Sequence, residues 1–239
     1  MASPREPQVG ISPEILGPLW VFNVLQVIGF TLNWLILATA VISKEVNRTR
    51  VWHLFMTGWV FWCIAHALLF ITGHQVGQDP PAGLCLFQAA LIYAFPPCME
   101  LLTLGILAKL YCAMYAAIKE RPSPQYLNTV VHYGPFIVFV GVFIEALVVG
   151  QMNPGSVMKD ESLMHCNIQN AVPSPGRITA VIVGIGAVGM VILEGFVVAT
   201  LYRNWNTLKR MRNSPGNVLS GTMAVRISVF SIMPLVALG

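Results

Sequence analysis

LCLFQAALIYAFPPCMELLTLGILAKLYCAMYAAI, residues 84–118, contains only two charged side chains, Glu100 and Lys109. As a continuous helix it would be about 52 Å long at the standard rise, whereas the hydrocarbon of a bilayer is roughly 30 Å thick. The segment must therefore cross lipid at a tilt or project into the cytosol. A soluble helix keeps one polar face. A helix in lipid can be apolar all round, because its solvent is itself apolar.

The rest of the chain has the same character. Hydrophobic residues make up 56% of the 239 positions, charged residues only 10%, and the mean hydropathy is +0.69. One soluble core cannot hide that composition. A spanning helix needs about 20 mostly apolar residues. Such runs occupy residues 18–42, 51–72, 84–118, 130–150 and 178–202, and a sixth starts near Met223 and continues to residue 239. Breakers separate them: Gly73 to Pro81, Pro122 with Pro124, Asn153-Pro154-Gly155 and Asn213-Ser214-Pro215-Gly216. The expected fold is all-α, a polytopic transmembrane helix bundle (18–239) behind a short extracellular tail (1–17). That tail is polar and proline-rich and has no hydrophobic stretch to cleave behind, so the first span is expected to act as an uncleaved anchor. The 13 residues from Ile227 to Gly239 reach only about 20 Å. A helix ending inside lipid leaves carbonyls unpaired at a cost of ~several kcal/mol. The sixth helix is accordingly expected to be incomplete here.

Lysine and arginine resist translocation and set the orientation. The first, third and fifth connections hold Lys44, Arg48, Arg50, Lys109, Lys119, Arg121, Arg203, Lys209, Arg210, Arg212 and Arg226. The opposite side holds Arg5, Lys159 and Arg177, a ratio of 11 to 3. This places the N-terminus outside and the basic loops inside, most naturally at the plasma membrane. Trp20 at an outer edge and Trp52, Tyr202 and Trp205 at inner edges agree with that frame. The net charge of +4 is spread through short loops and does not form a soluble basic face, so nucleic acid is not an expected partner. Asn47-Arg48-Thr49, a glycosylation sequon, lies in an inner loop and is expected to stay unmodified.

The same frame sorts the five cysteines. Cys85 stands at the outer end of the third span and Cys166 in the long outer loop before the fifth, both facing an oxidising side. A disulfide there would tie the loop across the mouth of the bundle. Cys63 and Cys98 read as small buried apolar residues, and Cys112 lies near the inner face.

Ionisable groups inside lipid are costly and raise a functional question. Glu100 lies about 22 Å down the third helix from Cys85, with Asn33 at a comparable depth in the first. The two are candidates for a shared polar core or switch. Glu145 falls toward the outer end of the fourth span and Glu194 toward the inner part of the fifth; either could equally be a protonated or hydrogen-bonded structural feature. His66 and Trp62, four apart, share a face near the outer half of the second span. With Gln88 and Tyr93 of the third they could line an outer ligand cavity, although helix packing is the commoner fate of such residues. The histidines show no paired metal spacing, and no nucleophile with a base appears, so no cofactor, metal or enzymatic activity is expected. Ala180 with Gly184, and Gly195 with Ala199, permit close helix approach and a homodimer face.

A long, tilted third helix tied by a cysteine to the second outer loop resembles the layout of seven-helix G-protein-coupled receptors. The stretch from Leu84 to Ala94, followed by Pro96-Pro97, is similar to orphan receptor-like membrane proteins of basidiomycete fungi. Asn33 occupies a place like the first-helix asparagine of rhodopsin-like receptors, and Pro234 like their sixth-helix proline. The chain departs from the pattern at Lys109-Leu110-Tyr111-Cys112, where an acidic-Arg-Tyr triplet would stand, and in a second span without aspartate. The activation lock of that family therefore does not carry over. The resemblance implies seven helices in the intact protein, an extracellular ligand, and a heterotrimeric G protein met by Arg203, Lys209, Arg210 and Arg212. On residues alone, those charges equally suit anionic lipid heads. The alternative function is a secondary transporter or a proton or cation channel running along the intramembrane glutamates. A retinal-binding protein also stays open, because its Schiff-base lysine could lie beyond Gly239.

Overall fold

A computed structural model describes residues 13–43, 48–119 and 125–204 of the chain. Its elements are α1 (Pro13–Ile42), α2 (Arg50–Ile71), α3 (Ala82–Lys119), α4 (Gln125–Met152), a 3-10 turn (Pro154–Ser156), β1 (Val157–Lys159), β2 (Cys166–Ile168) and α5 (Pro175–Arg203). All five α-helices among the described residues are long and apolar enough to cross a membrane. They carry large apolar side chains on their outer surfaces, including Trp20, Leu25, Leu32 and Ile36 on α1 and Val181, Ile185, Val188 and Ile192 on α5. Apolar patches of this extent are not left to water in a stable monomer. The chain is thus a multi-pass membrane protein. The expected sixth span at 223–239, and with it Lys209, Arg210, Arg212 and Pro234, falls outside the described residues.

The helices overrun the expected spans by one to five residues at most ends, because polar residues that leave the hydrocarbon need not leave the helix. α4 begins at Gln125 where 130 was expected, carrying Asn128 and Thr129 in helical conformation. Residues 13–17, expected in the polar tail, form the start of α1. Pro13 takes the first helical position, where a missing N–H costs nothing.

α3 is the centre of the array. At 38 residues it is the longest helix, about 57 Å, and it packs against α2, α4 and α5. α1 packs chiefly on α2. Two buried clusters lie at opposite ends of this frame. One gathers Leu69, Cys85, Ala89, Ala90, Ala146, Val149, Cys166 and Ile168. The other gathers Val51, Cys98, Met99, Leu102 and Val131. In the second, Gly105 lets α4 come close, since a Cβ there would collide with Val131. α1 is fixed by a buried amide pair: the Asn23 side-chain N–H donates to Gln75 Oε1 at 2.7 Å, and the Gln75 N–H returns to Asn23 Oδ1 at 3.1 Å.

The long loop between α4 and α5 is where the sequence places Cys166. It holds a small antiparallel hairpin, with Val157 opposite Ile168, Met158 opposite Asn167 and Lys159 opposite Cys166. Strands of three residues are too short to show a period in sequence.

Candidate functional site

The hairpin is bound to α3 by three separate links. Cys85 and Cys166 form the expected disulfide. Three residues on, and so on the same face of α3, the Gln88 side chain is completely buried. Its Nε2 donates to the Ala65 carbonyl of α2 at 2.9 Å and its Oε1 accepts the Cys166 N–H of β2 at 3.1 Å. Further along, the Tyr93 hydroxyl accepts the Ile168 N–H at 3.1 Å. Alternate N–H groups of a strand point to one edge, so β2 gives one edge to β1 and the other to these two side chains. A strand edge is thereby satisfied by helix side chains, as the scarcity of water demands.

The backbone of Tyr93 makes a fourth contact. Pro97 has no N–H to return to the carbonyl four residues back, and that carbonyl accepts the Thr179 hydroxyl of α5 at 2.9 Å. The proline pair in α3 frees an acceptor, and α5 supplies the donor that lipid cannot.

His66 has a different setting. Its Nδ1 lies 3.1 Å from the Trp62 carbonyl on its own helix. Its ring is flanked by Trp62 at 4.2 Å, Phe22 of α1 at 6.1 Å and His165 of the hairpin loop at 6.2 Å. The face shared by Trp62 and His66 is therefore present and meets the loop from below. Gln88 and Tyr93 use their polar groups to hold the hairpin, and so act as braces in this structure. Sequence carries a partial signal for Gln88 alone: it stands three residues from Cys85 and so shares the face that meets the disulfide partner.

The loop that carries His165 is organised by Asp160. Its carboxylate accepts the Ser162 hydroxyl, the Ser162 N–H at 3.1 Å and the Asn167 amide at 3.0 Å. The Ser162 hydroxyl, foremost, and His165 nearby hold the Asp160 carboxyl below its usual range, against the opposing effect of partial burial. Leu163 in this loop has φ of 60°, a left-handed conformation uncommon for a branched side chain. Lys159 meets the exposed Asp79 at 3.7 Å, a surface pair of small energetic weight.

The intramembrane residues are dispersed. Asn33 donates to the Gly29 carbonyl of its own helix at 2.8 Å. Glu100 faces α5, where a Cβ on Gly186 would collide with its side chain. One Glu100 carboxylate oxygen and both of Glu145 are buried with no hydrogen-bond partner among the described residues. Glu194 is half-buried on α5 and Arg203 ends that helix. α5 approaches α3 at Gly186 and Gly189, whereas Gly184 and Gly195 of the expected small-residue pairs meet no neighbour within 4 Å. Among the described residues, no three His, Cys, Asp or Glu side chains gather as a metal site would require.

No protein-family model, curated protein or solved structure matches this chain. The geometry of α3 and its hairpin is therefore the ground on which a function can be argued.

Proposed function

We propose that this chain is a receptor-like membrane protein, related in design to G-protein-coupled receptors, in which an extracellular ligand acts on the hairpin and α3 carries the change to the cytosolic side. The observation that carries this reading is the triple linkage of the hairpin to α3 through Cys85–Cys166, Gln88 and Tyr93. A ligand that shifts the hairpin by contact with His165 or His66 must shift α3 with it, and α3 runs the full depth of the bundle. Such a ligand works only through different affinity for two arrangements of the helices.

The proposed orientation, N-terminus outside at the plasma membrane, is supported from two sides. The disulfide end belongs in an oxidising compartment. Arg50, Lys109, Lys119 and Arg203 sit at or toward the other end of their helices, where retention in the cytosol would leave them. A sixth and seventh helix, and G-protein contact by Arg203, Lys209, Arg210 and Arg212, belong to the same proposal. The test is ligand-dependent recruitment of heterotrimeric G proteins by the full-length protein in cells. Recruitment that disappears when those four basic residues become glutamine is expected. Failure to recruit any G protein across a broad ligand panel would end the receptor reading.

A second reading is favoured by a specific observation, the buried unpartnered oxygens of Glu100 and Glu145. Carboxyl groups so placed suit a proton path through a transporter or channel. Proton flux into liposomes that is abolished by Glu100→Gln would select it over the receptor.

A further inference from the structure

At the end of the bundle away from the disulfide, a cavity of about 390 Å³ opens between α2, α3 and α4. Its polar lining is Arg50, Lys109, Asn128, Thr129, His132 and Tyr133, and no lining residue is acidic. The two cations come from different helices and converge on one space. Among the described residues neither has a carboxylate partner, since the one ion pair found there is Lys159 with Asp79. Two cations lining one cavity repel each other, and a bound anion would relieve that repulsion. The carboxamide, the two hydroxyls and the histidine ring add hydrogen-bonding groups that can complete the shell of a multi-oxygen anion.

The surroundings fit the anion's other requirements. α2 contributes its first two residues, so the partial positive charge of that helix N-terminus adds to the field. Val51, which lines the cavity, belongs to the buried cluster with Leu102 and Val131, giving one wall an apolar backing. Exposed Tyr126 and Tyr133, with Trp52 nearby on α2, mark the depth where aromatic side chains meet lipid headgroups.

We propose that this cavity binds the phosphate monoester of a membrane lipid headgroup, of the kind found on phosphorylated inositol lipids. Lys109 and Arg50 take the phosphate oxygens, and Asn128, Thr129, His132 and Tyr133 take the remaining oxygens and ring hydroxyls. A monoester carries more charge than the diester of an ordinary phospholipid, and two facing cations select for it over diffuse surface attraction. The site stands independently of the receptor reading, because it uses neither the hairpin nor an extracellular ligand.

The experiment is binding of the full chain in nanodiscs, read by native mass spectrometry and by competition with a fluorescent phosphatidylinositol bisphosphate. Binding should exceed that of phosphatidylserine at equal total charge. Lys109→Gln should weaken it about tenfold, the loss of one charge-assisted contact. Lys109→Arg should retain it, and Arg177→Gln, at the other end of the bundle, should leave it unchanged. Thr129→Val, which removes a hydroxyl but no charge, gives a second readout if Lys109→Gln fails to fold. Equal affinity for phosphatidylserine would overturn the proposal, as would unchanged affinity in both Lys109→Gln and Thr129→Val. Soluble inositol trisphosphate competing as well as the lipid would overturn the membrane source.

Discussion

The two ends of the bundle solve the same packing problem in opposite ways. At the disulfide end, polar groups join the elements to one another: Gln88 joins α2 to β2, Tyr93 caps β2, and Thr179 answers the carbonyl that Pro97 releases. At the basic end, α2, α3 and α4 meet through Val51, Cys98, Leu102 and Val131, and the charged and polar groups above them surround open space. Apolar contacts are non-directional and tolerate small slides. A covalent link with buried hydrogen bonds does not. One end is held by directional links, and the other by apolar packing beneath an open cavity.

The largest break in this contrast should come from Cys85→Ser. The disulfide closes a separation of 81 residues, and losing it should cost about 2–4 kcal/mol, read as a lower unfolding temperature in detergent micelles. Next is Gln88→Leu, which strands the buried Cys166 N–H and takes a second donor from the Ala65 carbonyl. About 1–3 kcal/mol is expected, with faster hydrogen exchange confined to the hairpin; exchange unchanged at Cys166 would show that Gln88 is no brace. Gly186→Leu should force α5 away from Glu100 at about 1–3 kcal/mol, and cysteine cross-linking between α3 and α5 would report the wider spacing. If spacing and stability both hold, the close approach at Gly186 is not what fixes α5.

The smallest effect sharpens the comparison through pH. Asp160 has a lowered folded-state pKa, so its stabilising contribution is complete above the ordinary carboxylate range and is lost as pH falls through that lowered value. Hydrogen exchange in residues 160–168 should rise on acidification into that region, while the basic end stays unaffected. Asp160→Asn should remove the pH dependence.

Much of the fold was legible because it follows from bulk chemistry. Apolar runs of sufficient length become helices in lipid, and the five described ones lie where hydropathy puts them. The disulfide was legible too, since topology left Cys85 and Cys166 on the same side. What sequence did not reveal depends on partners far along the chain. Gln88 and Tyr93 read as cavity-lining polar residues because nothing local shows that β2 presents an unpaired edge to them. Thr179 looks like an ordinary helical threonine until Pro97 is placed beside it in space. The basic cavity escaped notice for the same reason: Arg50, Lys109 and His132 lie on three different helices, and as a linear pattern they are only loop charges and a scattered histidine.

The amide pair between Asn23 and Gln75 bears on how the molecule is made. α1 packs chiefly on α2 and buries little of its own surface, so its placement depends on few contacts. The partner of Asn23 emerges from the ribosome 52 residues later, after α2 has been synthesised. Until then, α1 lacks the side-chain hydrogen bonds that, among the described residues, join it to the rest of the chain. Gln75 supplies both amide contacts at once, so α1 is held by a side chain synthesised after its neighbour α2.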